Sequence, residues 1–187
     1  MGLSVIGLAG SQMGTVMMRR WPERGRSDQI FDAALKGLDG HHALYHYLLG
    51  CRHALVTPRG VLALFPVAEP GYYEARDEAL WRTRLKRGVP MGEPSAQGRL
   101  TSQAEAEAAA LERTLNRRLP DRTDGDVLAL LVLLHPEARL EPGAVSPPAV
   151  HLKKLKDYVR NLPRHPPLTK DEAGALSNAN RAFLISD

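Results

Sequence analysis

Ile30, Phe31, Ala34, Leu35 and Leu38 recur at the spacing of one helix face. Ser27 stands just before them and is a residue type that caps helix starts, so a helix is expected from Asp28 to the glycine at position 40. "ALYHYLLG" then reads as a strand. "HALVTPRGVLALFPV" reads as a hairpin in which Thr57-Pro58-Arg59-Gly60 forms a type I turn. The outgoing limb is nearly all apolar and is expected to be buried on both faces, with a bulge or a sheet edge at Pro66, which has no N–H to donate.

"GYYEARDEALWRTR" suggests a second hairpin that bends over Ala75 to Glu78 and returns Trp81 toward the core. "LKRGVPMGEPSAQGRL" reads as a basic loop, and Ser102 with Glu105 as the capping box of the next helix. Ala104, Ala108, Leu111, Leu115 and Leu119 form its apolar stripe, and Pro120 stops it. "DVLALLVLLHP" has the length and bounds of a fully buried strand. A Pro-rich connection leads to "HLKKLKDYVRNL", an amphipathic helix with Leu152, Leu155, Val159 and Leu162 inward. After "PRHPP", Thr169 and Glu172 cap a terminal helix reaching to about Ile185. Strands separated by helical crossovers imply an α/β fold, a mixed central sheet flanked by helices.

The 187 residues suit one domain with a short appendage, and 43% hydrophobic content is enough for a core. With aromatics at 5%, aliphatic side chains must fill it. One cysteine excludes an internal disulfide and an all-cysteine zinc site, and fits a reducing compartment. Residues 1–18 carry no charge and are followed at once by Arg19-Arg20-Trp21. That is the lower length limit of a membrane span, with an interfacial basic pair behind it. Ser4, Ser11, Gln12 and Thr15 dilute the segment, so a membrane-associated helix, a soluble tail and a buried helix all stay open. The expected division is the apolar segment 1–18, a basic linker 19–26, an α/β domain 27–162, and a Pro-rich linker with a terminal helix over 163–187.

The net charge of +4 and the isoelectric point near 9.4 are compatible with an anionic partner. The basic residues gather around the N-terminal segment, around Arg82, Arg84, Lys86 and Arg87, and along Lys153, Lys154, Lys156 and Arg160. Each group is a candidate nucleic-acid or anion-binding surface, set against the plainer reading of a solvated face. No glycine-rich phosphate loop is present. His42 and His46 would share a strand face, without further zinc ligands in view, and Cys51 beside His53 has no third group to make it a nucleophile.

The blocks "DQIFDAALKGLDGHHALYHYLL", "HALVTPRGVLALFPVAEPG", "LWRTR", "EPSAQ", "VLALLVLLHPEARLE" and "HLKKLKDYV" occur in an order and spacing that resembles the nuclease-related domain (NERD) family. The resemblance spans about Ser27 to Leu162 and implies a restriction-endonuclease-like fold. In active members, a helix acid, a hairpin Asp and a hairpin Glu would gather a divalent cation, and a Lys two residues past the Glu would orient water. A hard cation needs that oxygen set to activate water and neutralise phosphate. On this pattern Asp28 is the helix acid and the family's histidine falls on His53. The Asp position falls on Arg52, the Glu on Phe65 and the Lys on Val67, while the following Pro-x-x-Gln is kept at Pro94 and Gln97.

The resemblance therefore implies a degenerate site with no catalytic residues and no metal or other cofactor. The expected function is an inactive nuclease-related module for binding or scaffolding, in the cytoplasm and anchored at the inner face of the membrane through residues 1–18. Its partner would be a protein or an anionic membrane surface. Two alternatives stand beside it. One is a nucleic-acid-binding protein using the basic surfaces. The other is a divergent nuclease in which Asp28, Glu69 or Glu74 holds Mg²⁺.

Overall fold

The computed structural model describes residues 24–39, 41–87, 89–119 and 127–162, with residues 24–26 as backbone alone. The expected apolar segment 1–18 and the terminal helix lie outside these residues. The fold is mixed α/β, as the pattern implied, but it carries two mixed sheets instead of one. The larger sheet has the order β1 (Ala43–His46), β2 (His53–Thr57), β3 (Gly60–Val67), β7 (Val127–Leu133), β9 (Ala149–His151). β1, β2 and β3 form an antiparallel meander, and β7 and β9 join in parallel. The smaller sheet has the order β6 (Val89–Ala96), β5 (Ala79–Lys86), β4 (Tyr72–Arg76), β8 (Arg139–Leu140).

β3 lies between β2 and β7, and all its positions but Pro66 are buried. Period-two alternation sends Val61, Ala63, Phe65 and Val67 to one face and Leu62 and Leu64 to the other. Helix α2 (Gly98–Arg118) covers the first face with Ala104, Ala108, Leu111 and Leu115. The smaller sheet joins this core through Tyr73 and Leu80. Helices α1 (Arg24–Leu35) and α3 (Leu152–Arg160) cover the second face with Phe31, Leu35, Leu155 and Val159. Each such side chain contributes about 1.5–3 kcal/mol on burial, so these two layers hold the hairpin in place.

Several boundaries differ from the sequence expectation. α1 begins before Ser27, whose side chain is buried and bonded to His53, so it does not cap the helix. "ALYHYLLG" stays in a strand only to His46, because Tyr47 turns to a positive φ of 60°. Of the two outcomes expected at Pro66, the edge occurs and the bulge does not. The register with β7 runs unbroken from Val61 to Val67, and the pairing with β2 ends at Ala63, so nothing there needs the missing donor. Trp81 pairs with Glu74 and is half-buried, while its neighbour Leu80 enters the core. The expected basic loop is largely strand β6, an exposed edge where Pro90 and Pro94 are tolerated. α2 starts at Gly98 after Gln97, so Ser102 and Glu105 lie inside it and form no capping box.

Candidate functional site

The β1–β2 loop crosses α2 closely. At Gly50, φ is +80° and a Cβ would come within 2.8 Å of Thr114 Oγ1. Only glycine meets both conditions without strain. The passage sets Arg52 beside α2 at the head of β2. There the Arg52 guanidinium carbon lies 4.1 Å from the centroid of the Phe65 ring. Its Nε donates to Glu107 Oε1 at 2.5 Å, and its backbone N–H donates to Glu107 Oε2 at 3.2 Å. One carboxylate thus holds both the guanidinium and the chain that carries it. The Arg52 and Glu107 side chains are 31% and 20% exposed, so the pair is partly shielded from water. Phe65 is 3% exposed and Val67 1%.

Arg52 and Phe65, on which the resemblance sets the nuclease Asp and Glu, therefore meet in space, as a cation stacked on an aromatic face. Val67 is on the same sheet face and is packed in the core. Asp28 is carried by α1, which packs on the opposite face of the sheet. Gln97 directs its amide to the Ser95 carbonyl and hydroxyl at 3.0 and 3.1 Å, next to its own helix start. Glu69 is exposed in the β3–β4 connection, and Glu74 is paired with Arg76 at 2.5 Å on the smaller sheet. The carboxylates of the metal-dependent alternative, Asp28, Glu69 and Glu74, thus sit on three separate elements. Among the described residues no cluster of three or more His, Cys, Asp or Glu is placed to hold a metal ion.

One residue on, the chain faces the other way. His53 is fully buried against α1, with the Phe31 ring edge-on at 4.8 Å. Its Nε2 is 3.0 Å from Ser27 Oγ and its Nδ1 is 2.7 Å from His46 Nδ1. His46 Nε2 lies 3.3 Å from Asp32 Oδ1. His42 takes no part in this group and bonds Asp39 at 2.6 Å ahead of β1. Cys51 is buried, and burial first and Glu107 second push its thiol up to about 12, which removes it as a nucleophile.

Two of the basic candidates are bound internally. Arg82 donates from Nε and Nη2 to the Pro70 carbonyl, and Lys156 Nζ donates to the Lys36 carbonyl at the end of α1. Arg84, Lys86, Arg87, Lys153, Lys154 and Arg160 are exposed. The β5 group and the α3 group belong to elements packed on opposite faces of the larger sheet, so they do not join into one patch.

Glu107 and the histidine pair were not singled out from the sequence. Glu107 lies 55 residues from Arg52, on the polar side of a well-formed helical stripe, and carries no local signal. The histidines did carry one. An antiparallel reading of 43–57 places His46 opposite His53, as the register does. Comparison with known proteins finds no matching family model, curated protein or solved structure.

Proposed function

We propose that this chain is a nuclease-related core of the restriction-endonuclease-like kind that has lost its hydrolytic centre and works as a binding or scaffold module. The order of helix, three-stranded meander, crossover helix and parallel strand supports that reading of the fold. The observation that carries the functional reading is the Arg52–Phe65–Glu107 arrangement. Where a cation would need converging oxygens, a guanidinium lies on a phenyl ring and engages the Glu107 carboxylate. A divalent ion there would meet like charge from Arg52 and no lone pair from Phe65 or Val67. The proposal includes membrane association through residues 1–18. Among the described residues no helix is long and apolar enough to cross a membrane.

Incubation of the full chain with plasmid DNA and Mg²⁺ or Mn²⁺ tests the loss of chemistry. The expected result is no nicking above the metal-free control. Nicking that disappears in Asp28→Ala would overturn the proposal. Flotation of the full chain with anionic vesicles, against a chain starting at Ser27, tests the anchor. Equal flotation of the two would remove that part of the reading.

A further inference from the structure

We propose that Ser27, His53, His46 and Asp32 form a proton-gated clasp, closed by two neutral imidazoles, that ties α1 to the β1–β2 edge and opens in acid. The proposal is independent of whether the Arg52 side of the hairpin binds anything. It starts from the chain of contacts Ser27 Oγ–His53 Nε2, His53 Nδ1–His46 Nδ1 and His46 Nε2–Asp32 Oδ1.

The ends fix the direction of this chain. A carboxylate only accepts, so Asp32 selects the His46 tautomer that carries hydrogen on Nε2. Neutral His46 then has a bare Nδ1, and the 2.7 Å contact requires His53 to donate from its own Nδ1. His53 Nε2 is left bare and accepts from the Ser27 hydroxyl. Every hydrogen in the closed clasp therefore points from Ser27 toward Asp32. All four groups are satisfied while neither imidazole is charged, as burial of Ser27 and His53 demands.

Acid undoes this at the Nδ1–Nδ1 contact. Once both imidazoles are protonated, both Nδ1 atoms are donors. Two N–H groups cannot face each other at 2.7 Å, so the contact breaks. The other charges that act on His53 are Asp28 and Asp32 on α1, which favour its charged form, and Arg52 at the head of β2 on the other side of the sheet, which opposes it. The Tyr47 ring lies edge-on at 5.3 Å. Burial outweighs these charges, and with His46 and Arg52 it holds the His53 imidazole down to about 4.

Nitrogen-15 histidine spectra of the full chain at pH 7.5 read the tautomers directly. His53 is expected with hydrogen on Nδ1 and His46 with hydrogen on Nε2. Amide exchange, corrected for intrinsic rates, is then followed from pH 7.5 to 4.5. Protection over Phe31 to Leu35 should fall by about tenfold or more relative to Leu111 to Leu115 of α2, the ratio that one pKa unit of linkage produces. His46→Phe keeps the ring bulk without nitrogens and should shrink this difference. Finding His53 with hydrogen on Nε2 at pH 7.5, equal loss of protection on α1 and α2, or an unchanged response in His46→Phe would each overturn the clasp. The wild-type spectra decide the matter even if the variant does not fold.

Discussion

Arg52 and His53 are neighbours in sequence and face opposite sides of one sheet. On the α2 side, a permanent charge is kept in a half-buried place by a carboxylate and an aromatic face. On the α1 side, a titratable ring is kept fully buried by neutral hydrogen bonds. An arginine stays charged at any ordinary pH, so the guanidinium of the first arrangement holds one charge state over the range where histidines titrate. The second depends on the number of protons it holds. One hairpin thus carries a fixed polar plug on one face and a variable one on the other.

The largest effect is expected where packing and the variable side coincide. Phe31→Ala removes a fully buried ring that also lies edge-on to His53, and should cost about 3–5 kcal/mol in urea denaturation. Next is the fixed side. Glu107→Ala leaves a half-buried guanidinium and a backbone N–H without their acceptor. Because both side chains retain some exposure, the loss should be about 1.5–3 kcal/mol, below the range for a fully buried pair.

The pH profile of the unaltered chain sharpens the contrast further. His53 is held at about 4 against an ordinary 6.5, so between those values the unfolded chain binds the proton and the folded chain resists it. Its contribution to stability is therefore complete above about pH 6.5, declines as the pH falls toward 4, and changes no further below that. Denaturation midpoints should follow this course, and His53→Gln should flatten it over the same window. The smallest effect is expected at Cys51. With its thiol held up to about 12, native protein at pH 7.5 should show no alkylation by iodoacetamide until urea unfolds it.

What was legible in the sequence follows the same division between local and distant causes. The β2–β3 hairpin, β7, the α2 stripe and α3 announce themselves through apolar periodicity and turn residues, and all are present. β6 was hidden because Pro90, Gly92 and Pro94 argue against a strand, an argument that fails on an edge. β8 and β9 span two and three residues within a Pro-rich connection, too short for any period to register. Ser27 looked like a cap because its real partner is 26 residues away. The resemblance points to Arg52 and Phe65 as the places where nuclease chemistry would stand. Nothing local to either residue announces that they stack, or that Glu107 closes over them.

Nuclear magnetic resonance with Mn²⁺ tests the central claim most directly, because the ion broadens only the signals near it. The account predicts that titration to millimolar Mn²⁺ leaves the signals of Arg52, Phe65 and Val67 no more broadened than those of the α2 core. Saturable broadening centred on those three residues would show an ion held where a guanidinium and two apolar side chains offer it nothing, and would contradict the account.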